Sequence, residues 1–205
     1  MNRFIGALMQ TITLLAPASV GRIHLEFQYR RIKNYSAILA FAAVLALYPS
    51  QATFAASPIP QSGWSLVFVD SQETVGQNNR AVNAFDGSLT SLWHTEWSQS
   101  SPPPPHEIQI NLGAMYTLSG FRYFPRQIGY NGTIAQYEFY VSASGPPFNW
   151  VMVANGTFAT SQTEKEVPFA PVAGQYVRLR ALSEVNGNPW TSVAELNVLG
   201  VLVAQ

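Results

Sequence analysis

Cysteine is absent from the 205 residues, and charge is scarce: 11 Lys and Arg stand against 11 Asp and Glu, together 11% of the chain. Without cysteine, neither a disulfide framework nor a thiolate zinc site can form. An average soluble domain carries roughly 25% charge, so this surface must stay wet through neutral polar groups. A basic excess to hold a polyanion is also missing. Residues 1–56 contain five bases, Arg3, Arg22, Arg30, Arg31 and Lys33, and one acid, Glu26, which leaves six bases and ten acids beyond them. That balance of minus four argues against a nucleic-acid footprint and against attraction to anionic lipid. Long apolar runs are lacking too: Ala37 to Tyr48 is 12 residues, short of the roughly 20 that a membrane-crossing helix needs.

What precedes and follows that run reads as targeting. Arg30-Arg31-Ile32-Lys33 comes before it, and Ser50, Ala52, Ala55 and Ala56 come after, the basic, apolar, small order of a secretory signal. An uncleaved anchor is the alternative. The earlier stretch Phe4 to Val20 is interrupted by Gln10 and Pro17, so the signal begins near Arg30 and Met1 need not be the natural start. Cleavage between Ala52 and Ala56 would release a secreted domain of residues 57–205, one domain's worth of chain.

Beyond Trp64 the apolar pattern has period two. Leu66 and Phe68 alternate with Ser65, Val67 and Val69, and Ile108, Ile110 and Leu112 alternate with Gln109 and Asn111, which predicts strands with one wet face. Further strands are expected over Tyr116 to Phe124, Ile134 to Ser142, Trp150 to Ala154, Glu164 to Phe169, Tyr176 to Leu182 and Val193 to Val201. Asp86-Gly87, Asn131-Gly132, Ser144-Gly145-Pro146-Pro147, Asn155-Gly156 and Asn186-Gly187-Asn188-Pro189 supply the turns. No window holds a helical repeat. Eight short strands in about 150 residues predict an all-β, antiparallel jelly-roll sandwich, with Pro102 to Pro105 as a stiff surface connection.

The densest cluster of polar and aromatic residues is Asn83 to Trp97. Its Asp86-Gly87 turn could wrap carbonyls and a carboxylate around a hard cation, and Asp86 and Ser91 offer side-chain oxygens; an ordinary turn would look the same. In order along the chain, Asp86-Gly87, Trp93-His94-Thr95-Glu96-Trp97, Pro105-His106, Leu112-Gly113, Tyr123-Phe124-Pro125-Arg126-Gln127, Tyr137-Glu138, Tyr176-Val177-Arg178-Leu179 and Ala194-Glu195-Leu196 resemble the discoidin domain, the coagulation factor V/VIII C-type module. The likeness is greatest to its family 32 carbohydrate-binding branch and to the galactose-binding domains attached to galactose oxidase and bacterial sialidases. It runs from Trp64 to Gly200.

The resemblance implies an eight-stranded jelly roll with binding loops at one end and a structural calcium ion near them. Carried over by position, the ion takes backbone oxygens from Asn83, Ser88 and Ala194 and side-chain oxygens from Asp86, Ser91 and Glu195. Ser91 stands where many members have Thr. The resemblance likewise implies a galactose-type site of His94, Trp97 and Arg126, helped by the loop around Tyr130, Asn131 and Gly132. Gln77 occupies a position that is often Glu in this branch, so a strong acceptor is lost. The chemistry suits a sugar: an indole can stack on an apolar C–H face while imidazole and guanidinium reach hydroxyls at fixed angles.

Other readings compete at each residue. Alternation puts Trp93, Thr95 and Trp97 on one face and His94 with Glu96 on the other, so His94 and Trp97 share a ligand only if the strand ends or bulges near Glu96. Trp93 belongs to the core, His106 is structural, and Arg178 and Arg180 pair with carboxylates. Trp190 packs on the ion-binding turn or meets a second sugar unit. No catalytic apparatus is visible: glycoside cleavage needs two carboxyl groups roughly 5–10 Å apart, yet Asp86 and Glu195 are claimed by the ion, and no nucleophile elbow or metalloprotease motif occurs. The expected function is therefore a lectin-like glycan binder, not an enzyme, with a protein- or phospholipid-binding discoidin domain as the alternative.

Overall fold

The computed structural model describes residues 57–204; the expected signal segment lies outside them. The strands are β1 (Ser57–Pro58), β2 (Ser65–Val69), β3 (Trp93–His94), β4 (His106–Phe124), β5 (Gln136–Ser142), β6 (Val151–Thr157), β7 (Lys165–Ala181), β8 (Ser192–Val193) and β9 (Glu195–Leu202), with 3-10 turns at Gln61–Gly63 and Ala81–Phe85. All pair antiparallel, in the order β1-β9-β4-β7-β5-β6 with β2 also on β4, while β3 and β8 form a separate two-stranded ribbon.

Two pairs of expected strands are single long ones. The 108–112 and 116–124 segments join in β4, and the 164–169 and 176–182 segments join in β7. Each long strand serves two layers. The first half of β4 pairs with β2, its second half with β9, and the β4–β7 register breaks between Asn111 and Tyr116. Phe121 from the second half of β4 then stacks on Phe139 of β5 at 4.1 Å between ring centroids, with Tyr137 edge-on at 5.7 Å. These rings, with Ile108, Ile110, Leu112 and Leu179, fill the interior of the jelly roll. His106, Ile108, Ile110 and Leu112 all point inward as their alternation requires.

In β2 the alternation fails. A bulge between Leu66 and Phe68 shifts the register, so Leu66 and Val69 pack inward while Phe68 is exposed. Elsewhere the outer faces follow charge pairing: Arg180 donates to Glu138 at 2.7 Å, and Arg178 lies 3.9 Å from Glu107 and over the Tyr140 ring at 4.1 Å. Trp93 is buried, its indole N–H donating to the Ser71 carbonyl at 2.9 Å.

Candidate functional site

Four connections meet at one end of the sandwich: residues 70–80 after β2, 95–105 after β3, 125–135 after β4 and 182–191 before β8. Backbone hydrogen bonds sew them together. Glu73 N–H donates to the His94 carbonyl at 2.8 Å, Thr95 N–H to Thr191 at 2.9 Å, and Ser192 N–H to Gly132 at 2.7 Å. That last contact needs glycine: Gly132 has φ of 81°, and a Cβ there would lie 2.7 Å from the Ser192 nitrogen. The connections enclose a shallow cleft of about 220 Å³ lined by Gln77, His94, Trp97, Arg126, Asn131 and Trp190. Drug-sized ligands occupy roughly 300–1,000 Å³, so this cleft suits something of monosaccharide size.

β3 ends at His94, the break that lets His94 and Trp97 face one ligand. His94 is almost wholly buried. Its Nδ1–H donates to the Thr95 carbonyl at 2.6 Å, so the neutral ring turns a lone pair on Nε2 to the cleft. Burial lowers its pKa from 6.5, and the charge of Arg126 acts in the same direction. Arg126 donates from Nε to the Ile128 carbonyl at 2.7 Å and from Nη1 to that of Asn131 at 3.0 Å, which fastens the loop and leaves its remaining N–H groups for a ligand. Trp97 is 39% exposed. The edge of its indole rests on Gly76, where an added Cβ would lie 3.0 Å from the ring.

Two further side chains shape the site. Trp190 stands beside His94, ring centroids 6.3 Å apart, and gives the cleft a second aromatic wall. Glu73, fully buried, accepts five hydrogen bonds: Oε1 from Val75 N–H, Gly76 N–H and the Ser98 hydroxyl, Oε2 from Trp97 and Ser98 N–H, at 2.7–3.1 Å. Burial would raise its pKa, but these donors hold it down at about 2. Tyr130, expected at the site, does not line the cleft. Gln77 lines it with its Oε1 already accepting from Asn79 at 3.0 Å.

An F5/8 type C domain model matches residues 69–196, most of the described part. The chain belongs to the discoidin family. Among curated proteins, this discoidin domain is 41% identical over 143 residues to a sialidase of Micromonospora viridifaciens, covering 69% of this chain and 22% of that one. It is 37% identical over 145 residues to galactose oxidase of Gibberella zeae, covering 69% and 20%. The chain thus spans about a fifth of the length of these relatives. Among solved structures, it is similar to a Clostridium perfringens carbohydrate-binding module in complex with GalNAc-β-1,3-galactose (33% identity, TM-score 0.63, 69% of this chain and 99% of that one). A second is the family 32 module of Clostridium perfringens NanJ in complex with galactose (33%, 0.62, 70% and 98%).

The turn expected to hold an ion follows the 3-10 turn Ala81–Phe85. Asp86 accepts from Ser88 N–H at 2.9 Å and from the Ser91 hydroxyl at 2.6 Å. The Ser91 oxygen is 3.5 Å from the Ser88 carbonyl. Glu195, buried at the start of β9, accepts from Gly87 N–H at 3.2 Å and from the Gln61 amide. The Asn83 side-chain amide donates from Nδ2 to the Asn78 and Leu92 carbonyls, and Ala194 precedes Glu195 with its N–H donating to the Phe124 carbonyl. Among the described residues neither Asp86 nor Glu195 has a basic partner, and three or more His, Cys, Asp or Glu groups are nowhere clustered for a metal. Two carboxylates, a hydroxyl and backbone carbonyls are an all-oxygen set that fits a hard divalent ion.

Proposed function

We propose that residues 57–205 form a secreted, non-catalytic carbohydrate-binding module that recognises terminal galactose-type sugars. One observation carries the reading: an exposed indole, a neutral imidazole and a guanidinium converge on one cleft of monosaccharide size. The free face of Trp97 stacks on the apolar C–H face of the ring, while Arg126 donates to neighbouring hydroxyls. The Nε2 of His94 accepts from the axial O4 hydroxyl, so hydroxyl and imidazole take opposite roles to those of a cationic histidine. Asn131 and Gln77 add amides at the rim. Two similar modules, solved with galactose and with GalNAc-β-1,3-galactose, support the same class of ligand. Secretion rests on the segment 30–56.

Calcium is proposed as a structural cofactor held by Asp86, Ser91 and Glu195 side chains and by the backbone oxygens of Asn83, Ser88 and Ala194. When bound, it supplies positive charge between carboxylates that have no basic partner among the described residues.

The test is a glycan array probed with wild type and Trp97→Ala. Wild type should light terminal galactosides, and the variant should lose roughly tenfold or more in affinity, the worth of a stacked ring; equal signals would remove the site. A second test is acidic pH. Because burial lowers the pKa of His94, its acceptor persists below the ordinary histidine value of 6.5 and is lost only on further acidification. Calorimetric titration with galactose should therefore show affinity held at pH 6.5 and falling below it. Affinity already collapsed at 6.5 would contradict the assigned tautomer.

A further inference from the structure

The buried histidine outside the cleft has both ring nitrogens engaged. His106, at the start of β4, is fully buried. Its Nδ1 lies 2.7 Å from Asp70 Oδ2 and its Nε2 lies 2.9 Å from the Pro189 carbonyl. Carboxylate and carbonyl oxygens only accept, so both bonds exist together only when both nitrogens carry hydrogen. Asp70 cannot turn away, because its other oxygen accepts the Glu107 N–H at 2.7 Å.

Pro189 directly precedes Trp190, the second wall of the cleft. The residue is gripped on both sides: Pro189 by His106, and Thr191 by Thr95, whose hydroxyl accepts the Thr191 N–H at 3.0 Å. Earlier in the same connection Glu184 accepts from Asn186 and Asn188 N–H at 2.6 and 3.0 Å. Building on the sugar-binding reading above, we propose that His106, as an imidazolium, is the positioning residue that fixes Trp190, so that galactoside binding weakens when this ring loses its proton at alkaline pH.

The chemistry of that loss is directional. A single remaining proton stays on Nδ1, because a carboxylate is a stronger acceptor than an amide carbonyl. Nε2 then presents a lone pair to the Pro189 oxygen, and attraction becomes repulsion at the base of Trp190. The charged surroundings favour the cation. Burial pulls the His106 pKa down, but Asp70 and the Pro189 and Pro102 carbonyls outweigh it and raise the value above 6.5. From β7 the residue opposite is Ala181, which is uncharged. On β3, His94 is the other titratable group that feels the ring's charge, and that charge helps to keep His94 neutral. For a raised pKa, the contribution is complete below 6.5 and disappears as pH rises through the folded-state value. Binding is thus bracketed: neutral His94 sets the acid limit and protonated His106 the alkaline one.

The experiment combines histidine-ring NMR on the wild-type domain with calorimetric galactose titrations from mildly acidic to alkaline pH, on wild type, Asp70→Asn and His106→Gln. Affinity of the wild type should fall roughly three- to tenfold across the alkaline limb, about the worth of one aromatic contact. Asp70→Asn should move that limb to lower pH, and His106→Gln should bind weakly without an alkaline limb, since one amide cannot reach acceptors on opposite sides of a ring. A His106 ring bearing one proton at pH 6, or an Asp70→Asn profile superimposed on wild type, overturns the proposal. If galactose binds at no pH while the Trp190 indole signal still shifts with the His106 titration, the positioning role stands and the sugar reading falls. Should His106→Gln not fold, the wild-type NMR titration decides alone.

Discussion

Glu73→Gln is expected to cost the domain its sugar affinity, by about tenfold or more as the indole platform loses its seat, and to lower its melting temperature as well. The carboxylate is the only acceptor for five donors from two separate connections. Glutamine has the same shape but one accepting oxygen. Whichever way it turns, its amide N–H₂ faces either the Trp97 and Ser98 N–H groups or those of Val75 and Gly76, donor against donor, and buried donors left without acceptors are costly. Trp97 lies in one of these connections and Gly76, on which its ring rests, in the other, so losing either half shifts the platform. Acid should reproduce the damage only at an extreme. With a pKa held at about 2, the contribution of Glu73 is complete above the ordinary value of 4.5 and is lost as pH falls toward 2. Galactose titrations with near-ultraviolet circular dichroism check the variant. Wild-type affinity in a well-folded Glu73→Gln domain would sink the assignment.

How much of this was legible beforehand follows from what sequence displays. Side-chain alternation in Ile108, Ile110 and Leu112 is written in the residues, and it placed β4 correctly. Continuity of a ladder is not. Whether Leu112 to Met115 ends a strand or merely bends one is decided by backbone pairing across the two layers, and so four of the eight expected strands merge into two and Phe68 swings outward at a bulge. His94, Trp97 and Arg126 are what the family resemblance implies, and they line one cleft together with Gln77 and Asn131. Glu73 carries no such mark, because four of its five donors are backbone N–H groups, which every non-proline residue carries and no pattern marks. In a chain so poor in charge, an acid without a nearby base was the one available sign. For Trp190 two places were open, the ion-binding turn or a sugar unit, and it lines the cleft; nothing in Asn188-Pro189-Trp190-Thr191 says that His106, 83 residues earlier, grips the preceding carbonyl.

Removing the proposed calcium ion is the other change expected to be large. Asp86 and Glu195 come from opposite ends of the domain and meet without a base between them. Burial pushes Glu195 up to about 7, against the donors Gln61 and Gly87, and the charge of Asp86 adds to the rise. A buried carboxylate, Glu195, beside an exposed one, Asp86, is an unfavourable arrangement unless something positive lies with them. An ion that binds only the folded state at 100 times its dissociation constant stabilises by about 2.7 kcal/mol. For a domain of this size each kcal/mol moves the melting temperature by roughly 2–4 °C, so chelation should lower it by about 5–10 °C. Calcium should restore the loss better than magnesium, which demands a tighter octahedron than this loop and strand end offer. Glu195→Gln should abolish the response, because one ligand and one charge go together. Superimposable melting curves in chelator and in saturating calcium would leave the carboxylate pair without its ion. The fall in sugar affinity should be the smaller effect, since Asn83 joins the ion turn to the Leu92 carbonyl whereas His94 itself is fastened from Thr95 and Asn79.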